Sequence, residues 1–230
     1  MKTALITGAN RGIGKEIAHQ LGRLGFTVFM GARNKTKGEK AVKELNDEAI
    51  DARLVVMDVI DENSIKQAFQ DVESQISTLD VLINNAAVLL DEGTPYLEVD
   101  ADMFRKTLEV NSVGPFLVTQ SFLPLLKKES RVINVSSGAG QICNGMSTWA
   151  PVYSISKTAL NAVTLQLAMA LENKGIVVNA CSPGWVRTDM GGSNANRSLP
   201  EGAETPVWLA TEAPLSLSGK FFKDKKERSW

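Results

Sequence analysis

Tyr153 and Lys157 stand four residues apart in the run Tyr153-Ser154-Ile155-Ser156-Lys157. On a helix that spacing puts both side chains on one face. A phenol beside an ammonium is a proton-transfer pair. Free tyrosine, with a pKa of about 10, exchanges protons poorly near neutrality, and a cation within ~4–6 Å favours its phenolate. The spacing alone is common, so its surroundings decide. Upstream, an apolar run ends in Ser136-Ser137, and a later one ends in Ser182-Pro183-Gly184-Trp185-Val186-Arg187-Thr188. Asn84-Asn85-Ala86-Ala87 follows a further apolar run, and Asn111 falls in a long helical stretch. A serine hydroxyl joined to the tyrosine would clamp a developing alkoxide.

A second constellation lies near the start, at Thr7-Gly8-Ala9-Asn10-Arg11-Gly12-Ile13-Gly14. Glycines between a strand and a helix allow a tight turn and close approach of backbone N–H groups to a diphosphate. The spacing is G-x-x-x-G-x-G, and a bare glycine cluster also fits a structural turn. Its place directly after an apolar run favours a nucleotide. A site for a free ribose 2′-hydroxyl wants an acid about 20 residues further on. Here the second apolar run ends Phe29-Met30-Gly31-Ala32-Arg33, without one. Arg11 and Arg33 are either solvated surface residues or, with that acid missing, a pair of guanidinium groups for a 2′-phosphate.

Asn111 carries a local signal of its own. Pro115 lies four residues on, and a proline inside a helix clashes with the carbonyl at i−4. Either the helix kinks there and frees the Asn111 carbonyl for water, or Pro115 simply breaks it.

Elements that could position these groups alternate along the chain. Apolar runs at 3–7, 27–32, 53–57, 81–84, 131–135 and 176–181 read as strands covered on both faces. Between them Ile17, Leu21 and Leu24 share a helical face, as do Ile65, Phe69, Val72 and Ile76. Repeated βα units predict a single α/β domain over residues 1–230: a doubly wound, Rossmann-type parallel sheet with helices on both faces. Such folds bind ligands beyond the carboxyl ends of the strands, where each motif above falls.

Composition closes other routes. The chain has 230 residues, 25 basic and 26 acidic, for a formal charge of −1, so it lacks the basic field of a nucleic-acid binder. A hydrophobic content of 43% with 22% charged is ordinary for a globular protein and argues against disorder or a membrane partner. Cys143 and Cys181 lack the spacing of a zinc site or disulfide framework, and no metal is expected. His19, the one histidine, lies on the first helix away from the other motifs, as a surface or packing residue. The apolar run after Met1 is too short for a signal peptide, so the cytoplasm is the expected compartment. Residues 220–228 hold five basic and two acidic side chains and read as a solvated end.

Taken in order, TGANRGIG, NNAA, Asn111, VSS, YSISK and PGWVRT resemble the short-chain dehydrogenase/reductase family across the whole chain. Within it the segment from Ala180 to Met190, and again from Glu201 to Pro206, is especially similar to NADPH-dependent carbonyl reductases. The resemblance implies an NADP(H) cofactor and reduction of aldehydes or ketones. It makes Tyr153 the proton donor, Lys157 the ligand of the nicotinamide ribose that lowers the tyrosine pKa, and Ser137 the hydrogen-bond donor to the substrate oxygen. Asn111 supports a proton relay through water. The glycine loop (Gly8, Asn10, Arg11, Gly12, Ile13, Gly14), Arg33, Asn85 and Ala86 line the cofactor. Asp58 and Val59 meet the adenine, and Pro183, Gly184, Val186 and Thr188 border the nicotinamide. Other readings remain: an alcohol or hydroxysteroid dehydrogenase, a 3-oxoacyl reductase, or a protein that senses NADP(H) without chemistry.

The chain also departs from the family. NNAA replaces the common NNAG, and the interval from Ser137 to Tyr153 is long, with the extra residues in 140–149. A large insertion that many animal carbonyl reductases carry before this tyrosine, associated with a monomeric state, is absent. A homodimer or homotetramer is therefore expected, through the helices of Asn111 and Tyr153, where Ala159, Leu160, Val163, Leu167 and Leu171 form an apolar stripe. Ile142, Trp149, Trp185 and Met190 either wall an apolar substrate pocket or pack as ordinary loop residues. Residues 189–206, rich in small polar residues, glycine and proline, read as a mobile lid.

Overall fold

A computed structural model describes residues 1–143 and 145–230; Asn144, within the 140–149 stretch, lies outside the described residues. Eight strands form one sheet in the order β3-β2-β1-β4-β5-β6-β7-β8. The six expected strands appear as β1 (Thr3–Ile6), β2 (Thr27–Ala32), β3 (Ala52–Val56), β4 (Val81–Asn84), β5 (Arg131–Val135) and β6 (Val177–Ser182). All pair in parallel. Strand order reverses between β1 and β4, which opens a crevice at their carboxyl ends.

Side chains alternate across the sheet and so divide the core in two. Ala4 and Ile6 of β1, with Val81 and Ile83 of β4, pack under α1 (Gly12–Arg23), α2 (Lys35–Asn46) and α7 (Leu199–Thr211). Leu5 and Leu82 point the other way. They meet α3 (Glu62–Glu73), α5 (Gly114–Phe122) and α6 (Pro151–Leu171). Of the expected helical faces, Ile17, Leu21, Ile65 and Val72 are buried, but Leu24 ends its helix exposed. A polar seam crosses the second layer. The Asn84 amide donates to Asn134 and Thr119, and Asn134 to Thr164, which leaves Asn84 Oδ1 without a partner.

Four helices carry their own N-caps. Asn34, Asp61 and Asp100 accept backbone N–H groups at α2, α3 and α4 (Ala101–Leu108), and Ser198 forms a capping box with Glu201 at α7. The two helices nearest the expected site, α1 and α6, begin without a cap from the N-cap side chain.

Three expectations change. Residues 220–228 are an ordered part of the sheet, solvated only over 224–228: they form β7 (Lys220–Lys223), parallel to β6, and β8 (Lys226–Arg228), exposed and antiparallel to β7. Their charge hid two adjacent phenylalanines that face opposite sides of the sheet, both buried; Phe222 meets Trp208 edge-on at 5.4 Å. Residues 199–206 of the expected lid are the start of α7, where Gly202, Ala203, Thr205 and Pro206 are buried. Only the part before Leu199 is loop, tied down by a bridge between Val186 and Arg197. On α6, Leu160 and Leu171 of the expected stripe are core; the apolar groups left exposed on these helices are Val113, Phe116 and Met169.

Pro115 neither breaks its helix nor sits in a regular one. The chain stays helical, widening into a π-turn over Glu109–Val113, where the Gly114 N–H reaches back to the Glu109 carbonyl. Pro115 falls in the first turn of α5 and has no N–H for the Asn111 carbonyl. Gly114 permits the close seat: a Cβ there would lie 3.0 Å from the Val59 carbonyl oxygen.

Candidate active site

The loops after β1, β2, β3, β4, β5 and β6 enclose a cleft of ≈ 870 Å³ at the carboxyl edge of the sheet. At one end, Gly8 turns the chain with φ +65, and a Cβ there would press on Ala86 at 2.9 Å. Thr7 Oγ1 accepts the N–H groups of Asn85 and Ala86, each at 2.9 Å, while the Asn85 amide donates to the carbonyls of Thr7 and Gly8. The glycine loop and the loop after β4 are thus one unit. Ala87, at the NNAA departure, is not among the positive-φ residues, so its backbone places no demand for glycine.

This end fits a phosphorylated dinucleotide. The N-terminus of α1 has no side-chain cap and no acid in its first turn, so its N–H groups and partial positive charge remain for an anion. Asn10, Arg11, Gly12, Ile13, Gly14 and Arg33 line the cleft beside it, with Asp58 and Val59 beyond. Each arginine leans on an acid, Arg11 on Asp189 at 2.5 Å and Arg33 on Asp58 at 3.7 Å, and both guanidinium groups are largely exposed. No group of three or more His, Cys, Asp or Glu suited to a metal occurs among the described residues.

At the other end Ser137, Tyr153 and Lys157 line the same cleft. The loop after β5 is held to α6 by Ser136, which donates to Asn161, and by the Gly140 carbonyl, which accepts from Asn161 and Thr158. Gly140 allows this contact, since a Cβ there would come within 2.7 Å of the Lys157 backbone. Ser136 is therefore committed to structure, and Ser137 is the serine that lines the cleft with Tyr153, its hydroxyl accepting the Ala139 N–H at 3.1 Å. Lys157 is buried; its ammonium donates to the Val135 carbonyl at 2.8 Å and lies 5.7 Å from the centre of the Tyr153 ring.

Electrostatics here run opposite to the expected lowering of the tyrosine. Burial pushes Tyr153 up to about 12, opposed by the neighbouring Ser137 hydroxyl. Burial pulls Lys157 down to about 8, opposed by Cys181 beneath it. Burial disfavours the charged form of both groups, raising the phenol and lowering the ammonium. The result is a phenol that holds its proton at neutral pH.

Asn111 lies behind the cleft, fully buried. Its Oδ1 accepts the Val88 N–H at 2.8 Å, and its amide donates to the Val88 carbonyl and to Ser156. Its side chain clamps the loop after β4 to α6. Pro183, Gly184, Val186 and Thr188 line the cleft, as do Trp149, Trp185 and Met190, whose side chains are substantially exposed at its mouth. Trp185 is fixed there by its indole N–H, which donates to the Gly191 carbonyl at 2.8 Å. Ile142 is the exception: it is 60% exposed and does not line the cleft. His19 pairs with Glu48 on the far side of α1. Leu89, Leu90 and Lys106 also line the cleft, though no spacing in the sequence singled them out. Leu89 and Leu90 follow the NNAA run after Val88, and that continuity was the available signal.

A family profile described as short chain dehydrogenase matches residues 2–198. The chain is 35% identical to "Short-chain dehydrogenase anuI" of Penicillium roqueforti, over 96% of this chain and 93% of that protein. It is 34% identical to "Carbonyl reductase [NADPH] 1" of Sus scrofa, over 100% and 94%. That alignment runs over 279 positions against 230 residues here, so the pig protein carries stretches absent from this chain. The NADPH-bound carbonyl reductase from chicken fatty liver superposes with a TM-score of 0.90 at 28% identity, covering 100% of this chain and 99% of that one. A reversal of strand order at a glycine-lined cleft, a tyrosine, lysine and serine at its other end, and a family match over most of the length lead to one assignment: the chain belongs to the short-chain dehydrogenase/reductase family.

Proposed function

We propose that this chain is an NADPH-dependent carbonyl reductase that converts aldehydes or ketones to alcohols. The observation that carries the reading is one cleft lined by Tyr153, Ser137 and Lys157 at one end and by the uncapped start of α1 and two arginines at the other. A proton donor for carbonyl reduction must carry its proton at working pH, as a phenol does near neutrality. The carbonyl reductase [NADPH] relatives and the NADPH-bound structural neighbour support the same cofactor.

The N-terminus of α1 would hold the diphosphate, Arg11 and Arg33 the 2′-phosphate, Asp58 and Val59 the adenine. Asn85, Ala86 and the 183–188 segment would border the nicotinamide, and Lys157 the adjoining ribose. Bound NADPH supplies the hydride. Ser137 donates a hydrogen bond to the substrate oxygen, and Tyr153 gives that oxygen its proton as negative charge develops. The Asn111 carbonyl, to which Pro115 can offer no N–H, would hold a water in a proton relay. Trp149, Trp185 and Met190 favour an apolar or aromatic substrate, and the loop from Asp189 to Ser198 acts as the lid. Val113, Phe116 and Met169 offer the apolar surface for a homodimer or homotetramer, and the enzyme is assigned to the cytoplasm. Sedimentation at assay concentration tests the assembly; a monomer there removes it.

The test of function is NADPH and NADH oxidation over a panel of aldehydes, ketones, quinones and oxo-esters. Turnover of apolar carbonyls with NADPH well above NADH is expected. Comparable rates with both cofactors, or no turnover across the panel, would overturn the reading.

A further inference from the structure

α6 carries Tyr153 in its first turn, yet Ala150 before it supplies no side-chain cap and Pro151 has no N–H. Ser154 closes the first helical hydrogen bond, to the Ala150 carbonyl at 3.0 Å. That leaves the N–H groups of Val152 and Tyr153 as orphan donors. Both go to one carboxylate from a distant segment. Asp91 Oδ2 accepts the Val152 N–H at 2.6 Å, and the two carboxylate oxygens accept the Tyr153 N–H at 3.3 Å.

Asp91 has no solvent exposure and no ion-pair partner within 4 Å among the described residues. A buried carboxylate is costly unless hydrogen-bonded, and here the donors are the N–H groups at the positive end of a helix. The segment that delivers it is the cleft loop after β4. Asn111 brackets that loop at Val88, and the Gly93 N–H donates to the Trp149 carbonyl at 2.8 Å. Cofactor wall and tyrosine helix are therefore joined at three points, of which Asp91 alone touches the Tyr153 backbone.

We propose that Asp91 is a positioning residue for Tyr153: a helix cap supplied from the cofactor-side loop that sets where the proton donor stands. The inference rests on the reading of Tyr153 as donor. Because Asp91 meets the start of α6 and not the glycine loop, its loss lowers turnover and leaves NADPH binding unchanged. A misplacement of about 1 Å at a reacting group costs up to ~10²-fold in rate.

The experiment compares Asp91→Ala, Asp91→Asn and Tyr153→Phe with wild type, measuring kcat, the KM for NADPH, and folding by circular dichroism. Asp91→Ala is expected to lose ~10- to 100-fold in kcat with the NADPH KM within ~2-fold. Asp91→Asn, which keeps an acceptor oxygen, is expected to recover most of the loss. If Asp91→Ala does not fold, Asp91→Ser, with its shorter acceptor, takes its place with the same split expected. An alanine variant within twofold of wild-type kcat overturns the inference, as does a parallel loss of kcat and NADPH affinity that asparagine does not rescue. Tyr153→Phe separates the two readings. If it turns over normally, the donor assignment fails; if it is inactive while Asp91→Ala is normal, only the role of Asp91 fails.

Discussion

Arg11 and Asp189 meet at the edge of the cofactor end of the cleft, guanidinium to carboxylate at 2.5 Å, joining the glycine loop to the first residue of the loop over the nicotinamide side. Both side chains are at least 70% exposed, so the pair is screened and worth at most ~1 kcal/mol. The acid competes with the phosphate assigned to the same arginine. Asp189→Asn should therefore lower the KM for NADPH by up to ~5-fold and leave that for NADH unchanged. A higher NADPH KM in this variant would show that Asp189 assists binding instead.

The arginines themselves should separate the cofactors. A hydrogen bond to a charged group contributes ~1.5–3 kcal/mol. Arg11→Ala and Arg33→Ala should each raise the NADPH KM by roughly 10- to 100-fold, with NADH, which lacks the 2′-phosphate, little affected. Equal losses with both cofactors would move these residues from phosphate recognition to general support of the loop.

Part of this was legible in the sequence because it depends on local chemistry. Apolar runs marked β1 to β6 since both faces of a parallel sheet are buried, and the glycine loop and Tyr153–Lys157 spacing marked two ends of one cleft. The rest depends on what the sheet brings together. Asp91 looks like a loop acid until it is seen under a helix that lacks its own cap. Phe221 and Phe222 look like an interruption in a charged tail until β6 is found to need an edge partner. The sign of the Tyr153 shift depends on burial, which no spacing reports. Residues 199–206 looked mobile because small residues suit loops, yet the same residues let α7 pack closely; a Cβ on Gly202 would meet Val186 at 2.6 Å.

The carboxyl-terminal strand β7 should behave as core. Phe222 is 2% exposed and packs on Trp208. Phe222→Ala should cost about 3–5 kcal/mol in denaturant unfolding, as other buried aromatic truncations do. A solvated end would lose less than ~0.5 kcal/mol.

Lys157 is expected to set the alkaline limit of activity. Burial pulls its pKa down to about 8, while Tyr153 is pushed up to about 12. A group with a depressed pKa is protonated below that value and loses its charge as pH rises through it. From pH 6 to 7 both the ammonium and the phenol carry their protons. Between pH 8 and 10 the lysine becomes neutral while the phenol stays intact, so the cation proposed to hold the cofactor ribose disappears first. The kcat/KM for NADPH, which reports groups in the free enzyme, should therefore fall above pH ~8 with a slope of one proton. Lys157→Arg is the discriminating variant, because guanidinium stays charged through this range. Its rate at pH 7 should drop for reasons of shape, but its profile should stay flat to pH 10. A variant that kept the break near pH 8 would assign the limb to another group.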